Sequence, residues 1–94
     1  MEATVKFVGS LRTLTGKSKV TVHFTKEAPL KEIFKLLCDD FPKLEQILGE
    51  QTLSEAKSTM LMLVNEKEVS VLKGLETPIK EGDTITLVPV LHGG

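Results

Sequence analysis

The sequence predicts an α+β fold: a mixed sheet with one main helix packed on one face. Two observations predict it. Hydrophobic residues alternate with period two near both ends of the chain, and recur with the helical period in one stretch between them. At 94 residues the chain also has room for one modest core, since a domain of this size buries roughly 60–65% of the surface its unfolded chain exposes. A single amphipathic helix covers one face of a sheet and leaves the other open.

The elements follow in order. Ala3 to Val8 alternates, with Val5 and Phe7 on one face and Thr4, Lys6 and Val8 on the other. Gly9-Ser10 and Thr15-Gly16-Lys17 read as turn material. Val20, Val22 and Phe24 alternate with Thr21 and His23, giving a second strand and so a hairpin. Leu30, Ile33, Phe34, Leu37 and Phe41 then form one stripe of an amphipathic helix. Pro29 suits the helix start, Thr25 is a candidate cap, and Pro42 stops the helix near Phe41. Lys43–Leu48 reads as a further helical turn and Gly49–Thr59 as a polar loop. Met60–Val64 is an apolar strand, with Leu63 expected outward and Val64 inward. Asn65-Glu66-Lys67 is a tight turn and Glu68–Ser70 a short return strand. Gly74 and Pro78 break the next stretch, and Glu81-Gly82-Asp83 is a turn. Thr84–Val90 alternates again, with Ile85 and Leu87 inward and Thr86 and Val88 outward. The first and last strands are expected to pair in parallel at the sheet centre.

Composition removes several function classes. Twelve basic against thirteen acidic residues give a net charge of −1, so no basic excess exists to neutralise a phosphate backbone. Aromatics are confined to four Phe, too few for a base-stacking platform. Nucleic acid is therefore not an expected partner, and no apolar run approaches the ~20 residues of a membrane span. One cysteine and no secretion signal point to a reducing cytoplasm. Cys38, beside the helix stripe, reads as a small core hydrophobe. His23, His92 and Cys38 lack zinc-ligand spacing, so no metal is expected. His92 has no orienting partner in its neighbours, and a general base needs fixed geometry. With no catalytic constellation, the chain is not expected to be an enzyme by itself.

Three motifs in the second half carry a resemblance. They are Val64-Asn65, then Pro78-Ile79-Lys80-Glu81-Gly82-Asp83, then Leu91-His92-Gly93-Gly94. Together they resemble the small subunit of molybdopterin synthase (MoaD), the sulfur carrier of thiamine synthesis (ThiS), and the archaeal ubiquitin-like small modifier proteins. Arg12-Thr13-Leu14-Thr15-Gly16 is similar to a turn common in MoaD-like proteins, with Thr13 in place of the usual Glu. Gly74-Leu75-Glu76-Thr77-Pro78 is similar to the archaeal group. The resemblance implies a β-grasp (ubiquitin-like) fold over residues 1–90 and a flexible tail over 91–94.

It also implies a chemistry. A free carboxylate is a poor electrophile, so a partner adenylating (ubiquitin-activating-like) enzyme spends ATP to convert the Gly94 carboxylate into an acyl-adenylate. The chain itself binds no cofactor. A sulfur nucleophile then gives a thiocarboxylate, or a lysine amine gives an isopeptide bond. Leu91, His92 and Gly93 thread the partner's channel, where a Cβ would obstruct and glycine's backbone freedom helps. Since Gly94 is the last residue, no processing step is expected. Val8, Leu63 and Val88 are expected to form the partner-docking face, with Glu68 altering partner choice. The leading expectation is a sulfur carrier for molybdenum or tungsten cofactor synthesis, inserted into the large subunit of molybdopterin synthase. The alternatives are a modifier conjugated to target-protein lysines, a thiamine-pathway carrier, and a passive interaction module.

Overall fold

The computed structural model describes residues 1–48 and 60–89. The expected loop at 49–59, the domain's last expected residue Val90 and the tail 91–94 lie outside the described residues.

β1 (Glu2–Phe7) and β2 (Lys19–His23) pair antiparallel, joined through α1 (Ser10–Thr15). The short β3 (Ala28–Pro29) leads into α2 (Leu30–Asp40) and α3 (Pro42–Leu48). β4 (Met60–Val64) turns into β5 (Lys67–Glu68), followed by 3₁₀ turns at Val69–Val71 and Gly74–Glu76. β6 (Pro78–Ile79) pairs with β3, and β7 (Thr84–Pro89) returns to the main sheet. The strand order is β2-β1-β7-β4-β5. β1 and β7 run parallel at the centre, with Val5 beside Ile85 and Phe7 beside Leu87. This is the expected β-grasp.

The core follows the two periodicities. Ala3, Val5 and Phe7 of β1, Met60, Met62 and Val64 of β4, and Ile85 and Leu87 of β7 are buried on one sheet face. Leu30, Ile33, Phe34 and Leu37 of α2 are buried with them. Fully burying each such side chain contributes roughly 1.5–3 kcal/mol. The Phe7 and Phe41 rings meet edge to face, with centroids 5.9 Å apart. Cys38 is half-buried against this cluster.

Three local expectations are corrected. The β1–β2 link holds a helix: Leu11 anchors it in the core and Gly16 closes it in the left-handed region at φ 75°, donating to Arg12 O. Six helical residues are too few to show a period. Thr25 does not cap α2. The N-cap is Pro29, extended at φ −68°, and Leu30 N donates instead to Thr77 O at 2.8 Å. The return strand ends at Glu68, because the Glu68 carboxylate accepts from the Ser70 N–H and hydroxyl and turns the backbone into 3₁₀ geometry.

Candidate functional site: the open sheet face and the root of the tail

On the face opposite α2, register sorts the outward side chains into rows. Leu63 stands opposite Thr86 on one side and Glu68 on the other, and Thr86 adjoins Lys6. That row is mixed in charge. One step along β7, Leu61 stands opposite Val88. Val8 continues the parallel pairing beside Val88, its N–H donating to Leu87 O at 3.1 Å. This second row is wholly aliphatic, and it lies at the end of β7 from which the tail leaves. Leu61 is 37% exposed, while Val8, Leu63 and Val88 are half-buried.

Leu61 was not singled out in the sequence, although the signal was there. A strand residue two positions from an outward Leu63 must also point outward. Leu63 itself lies one row further from the tail than Val8 and Val88.

The root of the tail is set by Gly9 and Pro89. Gly9 has φ 64° and ψ −134°, a region essentially reserved for glycine. A Cβ there would meet the Pro89 ring at 3.8 Å, so the two residues are in close approach. Arg12 Nε donates to Phe7 O at 3.2 Å, tying α1 to the end of β1. The expected tail residues Leu91, His92, Gly93 and Gly94 lie outside the described residues.

At the other end of β7, two of the sequence motifs meet. Asn65 Nδ2 donates to Asp83 Oδ1 at 2.8 Å, and Asn65 Oδ1 accepts from Thr84 N at 2.9 Å. Asp83 Oδ2 accepts from Lys80 N at 2.8 Å. Asn65 and Glu66 both have positive φ, 50° and 71°, which is the geometry of a two-residue hairpin turn that follows the twist of the strands. The Val-Asn turn and the Gly-Asp turn are thus two halves of one lock. Thr77, in the Gly74–Pro78 stretch, is buried, its hydroxyl donating to Gly74 O and accepting from Lys73 N.

The Cys38 thiol is displaced from its ordinary titration. Burial pushes it up from the ordinary value, with the carboxylates of Glu45 and Asp39 adding to the shift. His23 sits exposed at the sheet edge, 3.3 Å from Glu2. Among the described residues no cluster of three His, Cys, Asp or Glu could hold a metal, and no helix is long and apolar enough to cross a membrane.

Comparison with known proteins follows the same outline. A ubiquitin-related modifier 1 homolog of Caenorhabditis elegans is 28% identical over 95 residues, covering 97% of this chain and 94% of that protein. Small archaeal modifier protein 3 of Haloferax volcanii is 26% identical over 94 residues, covering 100% of both. Among solved structures, a chain of the Amycolatopsis orientalis BexX/CysO complex superposes with a TM-score of 0.79 at 28% identity, covering 98% of this chain and 99% of that one. The model described as the ThiS family matches residues 5–94, a span that includes all three motifs and the diglycine. The chain therefore belongs to the ThiS family.

Proposed function

We propose that this chain is a sulfur carrier of the molybdopterin-synthase small-subunit type, working through its Gly94 carboxylate. A partner adenylating enzyme joins that carboxylate to the α-phosphate of ATP, releasing pyrophosphate. Sulfide then attacks the acyl carbon, the acyl–phosphate bond breaks and AMP leaves, giving a thiocarboxylate. The large synthase subunit presents this group to a pterin precursor in the cytoplasm. Catalytic side chains come from the partners, and the chain supplies the carrier group.

The observation that carries the reading is the aliphatic row Val8–Val88–Leu61 at the root of the tail. An exposed apolar patch marks a partner site. Here it would seat the domain while the tail reaches into a channel. Leu63 and Glu68 in the adjoining row would tune which partner fits.

A second reading is a protein modifier joined through Gly94 to target lysines. It is favoured by the names of the full-length relatives, a ubiquitin-related modifier homolog and a small archaeal modifier. One experiment separates the readings: mass spectrometry of Gly94 in protein recovered from its own cells, beside a chain lacking Gly93-Gly94. Replacement of a terminal oxygen by sulfur, with loss of cofactor synthesis on truncation, is the expected result. Diglycine remnants on lysines of other proteins would establish the modifier. Thiocarboxylate with loss of thiamine instead would place the carrier in that pathway. A free carboxylate under all growth conditions, with no effect of truncation, would leave a passive module.

A further inference from the structure

We propose that the groove at the far end of β7 from the tail is a second docking site, which takes an acidic segment of a partner protein carrying an aliphatic side chain. The groove encloses about 480 Å³ between the β4–β5 turn, the 3₁₀ turn at Val69–Val71 and the approach to β7. Val71, Leu72 and Pro78 supply its apolar surface, and Lys67, Lys73 and Lys80 stand around it.

Two features of the groove point to a ligand of this class. The first is unsatisfied apolar surface held in place. Val71 is 74% exposed and Leu72 37%, the two most C-terminal of the large exposed hydrophobics among the described residues. Neither hangs on a free loop: Leu72 N donates to Val69 O at 3.0 Å, and the Glu68 carboxylate fixes Ser70. A preorganised surface loses little entropy on binding. The second is charge. Among the described residues, Lys67, Lys73 and Lys80 form no ion pair, whereas Lys31 and Lys35 do. Asp83 also lines the groove, but both its oxygens are occupied by Asn65 and Lys80 N–H groups. The local balance is three positive against one negative, in a chain of net charge −1.

An entering carboxylate meets ammonium groups without displacing an internal partner. An aliphatic side chain beside it covers Val71 and Leu72. Phosphate-backbone ligands fit less well, because the lining holds no aromatic side chain for base stacking. The groove and the tail can be occupied together. Thr84 to Pro89 spans five residue steps, so roughly 17 Å of strand separates them.

The test is an amide chemical-shift titration of the full-length ¹⁵N-labelled chain. The probe is a capped peptide of glutamates flanking one central leucine. Shifts confined to Lys67, Val71, Leu72, Lys73 and Lys80 are expected. The K73E/K80E double variant should weaken binding about tenfold at low salt, and V71S about fivefold. These side chains are exposed, and unchanged amide positions elsewhere will verify the fold. A chain lacking Gly93-Gly94 should bind the peptide equally well, so failure here is distinct from failure of the carrier reading. The proposal is overturned by shifts spread over the whole lysine-bearing surface, by shifts on the Val8–Val88–Leu61 row, or by a peptide without leucine binding as tightly. An equal response to inorganic phosphate or a short RNA would overturn it too, as would self-association of the chain through this groove.

Discussion

Replacing Asp83 with Ala should destabilise the fold without touching the chemistry of the tail. Asp83 is 7% exposed and accepts two hydrogen bonds of 2.8 Å, one from Asn65 Nδ2 and one from Lys80 N. Hydrogen bonds to a charged acceptor contribute about 1.5–3 kcal/mol each. Losing both, taken near the low end of that range, should cost about 3–4 kcal/mol, a large part of the ~5–15 kcal/mol that a small domain has. At about 4–8 °C per kcal/mol for a chain of this size, Tm falls by about 12–30 °C. Asn65→Ala removes the Asn65–Asp83 bond from the other side, loses the bond from Thr84 N, and leaves alanine in the left-handed region. Asn65→Gly relieves the backbone strain and isolates the side-chain bonds. The assay is urea unfolding of the single and double variants. The Asp83/Asn65 pair should show a coupling energy of about 1–3 kcal/mol. Strict additivity, or a Tm loss below about 3 °C for Asp83→Ala, would refute the lock. Below the lowered Tm, the adenylation that the proposed function requires should be unchanged, because the lock sits at the opposite end of β7.

Four further outcomes are expected. Glu66→Gly should stabilise by up to about 1 kcal/mol, read as a raised urea midpoint, because Glu66 holds φ 71° in a turn that glycine adopts freely. Gly9→Ala should cost about 1–3 kcal/mol from backbone strain alone, since space exists beside Pro89. Leu61→Asp and Val88→Asp should lower kcat/KM for adenylation by about tenfold or more, with circular dichroism unchanged. An unaffected rate would remove the docking role of that row. Cys38 predicts a slope at alkaline pH. Its thiol holds the proton longer folded than unfolded. Its contribution is therefore fully present below the unfolded thiol value of about 8.5 and is lost as pH rises through the higher folded value. Cys38→Ala should flatten that slope in denaturation curves taken across the range.

The parts of the fold readable from sequence were those where a period had room to repeat. β1 and β7 each span six residues and α2 eleven, enough for alternation or a helical stripe to stand out. α1 and the Val69–Val71 turn were missed because each is closed by hydrogen bonds local to a few residues. The α2 cap was misplaced for the opposite reason. Its acceptor, Thr77 O, is 47 positions away from Leu30, a contact no local pattern carries. At the site, Val8 and Val88 followed from alternation, and Leu61 would have followed from Leu63 by parity. The lysine-rimmed groove was not readable at all. It joins Lys67, Lys73 and Lys80, which in sequence look like an evenly solvated charge pattern and converge only when β4 and β7 are locked together.

The central place of β7 has a consequence for how the protein is made. β7 alone joins β1 to β4. A nascent chain halted before Thr84 would hold two separate strand pairs, β2-β1 and β4-β5, each no more than marginally stable in water. Ile85 and Leu87, fully buried, would be missing from the core. Stalled or clipped products should stay open to proteases instead of folding into a decoy with a sound docking face and no tail. Acquiring structure thus doubles as a length check: under the proposed function, an enzyme that recognises the folded sheet would meet only chains whose synthesis has reached the root of the tail.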